Sequence, residues 1–143
     1  MAPIHNTSSP RQSVWPVRVY YEDTDAGGVV YYANYLRFCE RARTECLRAL
    51  GINQHSLRSE LGIVFVVRRV EADYLRSAEL DDELQVMSTI YDIGAASLKF
   101  EQHVLRGDTC LFKAHVTIAC LDVERWRATR IPDFLRTLFE SEA

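Results

Sequence analysis

One stretch constrains this chain more than any other: YYEDTDAGGVVYYANYLRFCERARTECLRALG, from Tyr20 to Gly51. It runs from a strand end through an acidic loop and a glycine pair into the strongest helical period of the sequence. Tyr35, Leu36, Cys39, Ala42, Cys46, Leu47 and Leu50 recur at 3.6-residue spacing and define one apolar face. Asn34 is the expected N-cap and Gly51 the expected stop. A helix of about 17 residues spans roughly 25 Å. An apolar face of that length needs a broad apolar partner.

The flanking sequence supplies one. Val14–Glu22 alternates and reads as a strand with Val17, Val19 and Tyr21 on one face. Pro16 then belongs at its start or on a sheet edge. Residues 52–61 form a connector with a short helical turn near Ser56–Glu60. From Gly62 a β-branched run predicts a long strand to Leu75. Three alternating segments follow. Leu84, Val86, Ser88 and Ile90 share one face; Leu98, Phe100 and Val104 share the next; Phe112, Ala114, Val116 and Ile118 share the last. Gly94-Ala95 and Arg106-Gly107-Asp108 are turns. IPDFLRTLFE predicts a final helix, capped by Asp133 or begun by Pro132. Short turns between successive strands imply an antiparallel sheet. The fold class is therefore α+β: a long central helix on a curved antiparallel sheet of five or more strands. Residues 1–13, with Pro3, Pro10 and a high Ser/Thr content, are expected to be disordered. Residues 14–143 are expected to form one domain.

Composition narrows the function. The chain has 143 residues and a formal charge of −3, with no basic excess suited to nucleic acid. No segment approaches the roughly 18 apolar residues of a membrane span, and residues 1–13 lack the apolar core of a secretory signal. Cys39, Cys46, Cys110 and Cys120 show no CxxC or zinc spacing and read as buried thiols in a reducing cytoplasm. There is no GxSxG, HExxH or phosphate-loop motif.

The chemistry concentrates at Asp25. It stands before Gly27 and Gly28 and just ahead of the helix, where unpaired N–H groups and the helix dipole can polarise a carbonyl. The bland alternative is an ordinary Asp-x-Gly turn. The aromatic run beside it is expected to desolvate the carboxylate and make it more reactive. Glu22 and Asp23 are read as solvated loop carboxylates. Three carboxylates within four residues could also suit Mg²⁺, but no further ligands stand at metal spacing, so no metal is assigned. Tyr31, Tyr32 and Tyr35 crowd the helix entry, as core aromatics or as a pocket wall.

The segment VRVYYEDTDAGGVVYYANYLRFCERARTE resembles the hotdog-fold acyl-CoA thioesterases of the 4-hydroxybenzoyl-CoA thioesterase family. It is most like the bacterial type associated with the Tol-Pal envelope system. The resemblance covers residues 15–138, and Asp73–Leu75 with Leu80–Asp82 fits it too. It implies a hotdog fold and a catalytic carboxylate at Asp25, acting as nucleophile or as general base. It also implies carbonyl polarisation by backbone N–H groups within Val30–Tyr32. Gly28, Val30, Tyr31 and Tyr35 would line the substrate site, and Tyr32 would contribute through its backbone. Tol-Pal-associated members carry His where this chain has Tyr32, so an imidazole role is absent and the acyl group, aliphatic or aromatic, stays open. The resemblance implies an acyl-CoA substrate, with acyl carrier protein as an alternative donor, no cofactor, and a homodimer or homotetramer. Arg68, Arg69 and Arg76 are candidates for the CoA phosphates, or plain surface arginines. A non-catalytic scaffold of the same fold is the competing reading. A hotdog dehydratase would want a histidine near the helix, and none stands between His5 and His55.

Overall fold

A computed structural model describes residues 12–140. Its strands are β1 (Gln12–Arg18), β2 (Ile63–Tyr74), β3 (Glu83–Tyr91), β4 (Ser97–Arg106), β5 (Thr109–Asp122) and the two-residue β6 (Arg127–Ala128). Its helices are α1 (Asn34–Ala49), the single turn α2 (Gln54–Ser56) and α3 (Asp133–Glu140). The residues expected to be disordered lie, up to Arg11, outside the described part; the strand itself already begins at Gln12.

All pairings are antiparallel, in the order β1-β3-β4-β5-β2, with β6 on β5. β3, β4 and β5 form the expected meander. β2 does not pair with β3; it crosses to the far side and pairs with β5. Both outer strands are thus edges, and Pro16 sits on one of them, opposite Gln85.

α1 lies across the concave face. Tyr35, Phe38, Cys39, Ala42, Cys46 and Leu47 are buried against Leu84, Val86, Ile90, Leu98, Phe100, Val104, Phe112 and Val116. Leu36, expected inward, is exposed, and Phe38 takes its place in the core. The helix stops as Gly51 predicts. At φ +86° Gly51 takes the left-handed conformation, and the N–H groups of Gly51 and Ile52 close on the carbonyls of Arg48 and Leu47. The start differs from expectation. Ala33 occupies the N-cap position, and the Asn34 amide points elsewhere. The helical turn of the connector is α2 continued by a π turn over Leu57–Leu61. At α3, Pro132 stands before the helix and its carbonyl accepts from Leu135 and Arg136; Asp133 is the first helical residue. This long helix wrapped by a curled antiparallel sheet is the hotdog architecture.

One buried polar group interrupts the apolar interface. Gln102, fully buried on β4, donates to the carbonyl of Cys39 (2.9 Å) and to Ser88 Oγ (2.8 Å), and accepts from Arg43 (3.0 Å). Its amide therefore locks α1 to β3 and β4 at one register. Replacing Gln102 with Leu leaves the Cys39 carbonyl, the Ser88 hydroxyl and a partly buried guanidinium each short of a partner. We expect a loss of about 1–3 kcal/mol per orphaned group at most, read as a lower urea midpoint at unchanged slope.

Candidate active site

The strand expected to run to Glu22 ends at Arg18. Val17 and Val19 point inward as expected, but Tyr21 is 81% exposed. The chain turns because Asp23 accepts a hydrogen bond from the Tyr20 N–H at 2.8 Å, closing a 3-10 turn over Tyr21–Asp23. Asp23 is no solvated loop residue. It is 6% exposed. Its other carboxylate oxygen accepts from Asn34 Nδ2 at 3.1 Å, and its backbone carbonyl accepts from the Tyr31 N–H at 2.9 Å. The end of β1 is thereby tied to the first turn of α1. A carboxylate buried at such a junction can be read only in three dimensions, since sequence spacing does not distinguish it from Glu22, which is exposed.

Between those anchors the loop folds on itself. Thr24 bridges Val30, and the Asp25 N–H donates to the Val29 carbonyl at 2.9 Å. Gly28 makes the reversal at φ +85°. The Gly27 N–H donates to Asp25 Oδ1 at 2.8 Å. A Cβ at Gly27 would stand 3.2 Å from that same oxygen, so the glycine lets the carboxylate lie against the backbone. Asp25 Oδ2 has no partner among the described residues. The expected desolvation is not present in the single chain, where Asp25 is exposed.

The N–H groups at the helix entry divide sharply. Val30 donates to the Ala78 carbonyl (2.9 Å) and Tyr31 to Asp23, so neither is available to a ligand. Tyr32 N–H meets no acceptor among the described residues. It is the free donor of the three that the sequence singles out. Its peptide is held in place, because the Tyr31 carbonyl accepts from Asn34 N–H at 2.8 Å and the Tyr32 carbonyl accepts from the Tyr74 hydroxyl at 3.1 Å.

The tyrosines also divide. Tyr35 is buried, stacks on Phe112 at 5.1 Å, and its hydroxyl accepts from Ala78 N–H at 2.9 Å. Burial pushes its phenol above the ordinary value, so it remains un-ionised. Of the two readings that its position left open, core aromatic or pocket wall, its packing is that of a core aromatic. Tyr31 and Tyr32 are exposed, with rings 4.9 Å apart, and Tyr74 adds an edge to Tyr32 at 6.2 Å. Tyr74, on β2, is the site neighbour that sequence spacing missed; only the sheet brings it to the helix entry. Arg68, Arg69 and Arg76 are all exposed, and Arg69 is paired with Glu71 at 3.0 Å. Among the described residues no group of His, Cys, Asp and Glu is placed to hold a metal ion.

A model of the Thioesterase-like superfamily matches residues 19–139. The chain belongs to the thioesterase-like superfamily. A relative from Haemophilus influenzae, "Acyl-CoA thioesterase YbgC", is 46% identical over 125 residues, 87% of this chain and 92% of its own length. "Acyl-CoA thioester hydrolase YbgC" of Escherichia coli O6:H1 is 44% identical over 119 residues, 82% of this chain and 88% of its own. Among solved structures, a "Probable Thioesterase from Bartonella henselae" superposes with a TM-score of 0.80 at 38% identity, covering 85% of this chain and 99% of that one. The loop ahead of α1 thus leaves one Asp25 carboxylate oxygen and the Tyr32 N–H without partners among the described residues. The two are held apart from Asp23, whose work is to brace them.

That division predicts opposite behaviour for neighbouring carboxylates. Asp23→Asn puts an amide N–H₂ against either Tyr20 N–H or Asn34 Nδ2, both donors. We expect a stability loss of about 1–3 kcal/mol, seen in thermal or urea unfolding, whereas Glu22→Gln leaves the midpoint unchanged.

Proposed function

We propose that this chain hydrolyses the thioester of an acyl-CoA to a free acid and CoA, with Asp25 as the catalytic carboxylate. The observation that carries this is that Asp25 Oδ2 and the Tyr32 N–H, on one braced segment, are both left without partners among the described residues. The printed names of the relatives support the same substrate class. The thioester oxygen would lie against Tyr32 N–H, where the helix start stabilises developing negative charge. Asp25 would then attack the carbonyl carbon, expel the CoA thiolate and form a mixed anhydride that water opens. Alternatively it would take a proton from a water that attacks the same carbon. Gly27 N–H holds the carboxylate in place in either case. Tyr32 acts through its backbone, and its ring, tilted against Tyr31 and edge-on to Tyr74, adds an aromatic surface at the helix entry.

The site calls for a second copy of the chain. Asp25 lies open, and three cavities of the single chain, each about 130–440 Å³, are not lined by Asp25, Tyr31 or Tyr32. β2 is an edge strand whose Val67 and Val70 are 48% and 40% exposed, followed by Tyr74 and Leu75 at 49% and 52%. An unpaired edge that exposes apolar side chains among its charged ones is matched by pairing with another edge. We infer a homodimer through β2, or a tetramer built from it. Light scattering is expected to give at least twice the 16.5 kDa chain mass at micromolar concentration. Val70→Lys should shift the equilibrium toward monomer and lower activity with it; a monomer of full activity would overturn the shared-site reading.

Asp25→Asn is the test of the chemistry. The amide oxygen still accepts from Gly27 N–H, so the loop and the unfolding midpoint should be unchanged. The amide cannot attack or take a proton. Turnover on acyl-CoA should fall by about 10²–10⁴ with a modest change in KM. A scaffold without activity would show no turnover in the parent chain either, on any of a series of aliphatic and aromatic acyl-CoAs.

A further inference from the structure

The outer face of the sheet carries a second chemical arrangement that the Asp25 site does not use. Cys110 follows the β4–β5 turn, and Glu101 and His103 project from β4 beside it. Glu101 Oε2 lies 2.8 Å from His103 Nε2, and the other ring nitrogen, Nδ1, faces Cys110 Sγ at 3.7 Å. The sulfur also lies 3.5 Å from the Phe112 carbonyl, a second acceptor for the thiol proton. The hydrogen bond from His103 holds the Glu101 carboxyl below its ordinary range. An ionised Glu101 accepts from Nε2–H, which leaves the Nδ1 lone pair turned toward the thiol. Across the sheet, His103 stands opposite Lys113 of β5 and Met87 of β3, and Glu101 opposite His115 and Thr89. Beyond them on β2 are Asp73, opposite Lys113, and Glu71, opposite His115.

The other three cysteines are unlike it. Cys39, Cys46 and Cys120 are buried; burial pushes Cys39 up to about 12 and Cys120 up to about 11, and raises Cys46 as well. Such thiols are inert. Cys110, read from sequence as buried like the rest, is only half-buried, at a strand end beside a turn.

We propose that Cys110 is a modification site for low-molecular-weight disulfides, with His103 as its base and Glu101 orienting the imidazole. The thiol proton passes to Nδ1, and the thiolate attacks one sulfur of the disulfide. A new S–S bond forms as the old one breaks, and the departing thiolate takes the proton back from Nδ1. The disulfide is the oxidant, so atoms and electrons balance without another reagent.

The test uses the full chain and oxidised glutathione, with the adduct located by peptide mass spectrometry and its rate followed from pH 6 to about pH 9. The first adduct is expected on Cys110 and should vanish in Cys110→Ser. His103→Gln should slow it about tenfold at neutral pH, with Glu101→Gln in between. The gap should close toward the alkaline end, where an accessible thiol ionises unaided. Iodoacetamide rates should show the same convergence. A first adduct on another cysteine, a His103→Gln rate equal to the parent's at neutral pH, or a deficit that persists undiminished at high pH would each overturn the proposal. The last outcome would mean that His103 only packs against the sulfur.

Discussion

The Asp23 carboxylate ties three pieces of backbone that would otherwise diverge. One oxygen holds the Tyr20 N–H at the end of the first strand, the other holds the Asn34 amide in the first turn of α1, and the carbonyl of the same residue holds Tyr31. A buried carboxylate left without donors would be costly, and here each oxygen has one. The loop from Thr24 to Val30 therefore leaves and returns between fixed points. Its shape is set at its ends and by the backbone bonds of Asp25 with Val29 and Gly28, which leave one Asp25 carboxylate oxygen without a partner among the described residues.

That unpartnered oxygen is what the proposed chemistry uses. Several N–H and carbonyl groups near it are already paired. Val30 is spent on Ala78 and Gly28 on the Asp25 carbonyl. Among the described residues the Tyr32 N–H and one oxygen of Asp25 meet no partner. In the proposed reaction this donor and this anion meet the substrate carbonyl. Relatives within the thioesterase-like superfamily make an acyl thioester the natural candidate.

The sheet shows a related economy at larger scale. Its meander buries one face under α1, and the Gln102 amide fixes how the two layers meet. β2 breaks the meander to occupy the far edge, and a bulge between Val67 and Arg69 bends it. From Val67 onward the strand is exposed, and its aromatic end, Tyr74, reaches the helix entry. The open edge and the open site are therefore joined through one strand. A second copy covering the one would approach the other.

Much of this was legible in the sequence, for physical reasons. The helix period, the Gly51 stop and the alternation of Leu84 to Ile90 are local patterns that burial rewards directly, and they give α1, the strands and the α+β class. The motif around Asp25 pointed to the family. What the sequence could not separate were residues of the same type whose roles depend on distant partners. Asp23 and Asp25 differ because only one meets Asn34 and the Tyr20 N–H. Tyr35 and Tyr32 differ because one side chain falls under Phe112 and the other does not. The N–H of Val30 and that of Tyr32 differ because Ala78, from beyond β2, reaches only the first. The placement of β2 beside β5 rather than β3 likewise follows from closing the sheet over the helix, a constraint that acts between segments far apart in the chain and leaves no trace in the periodicity of either.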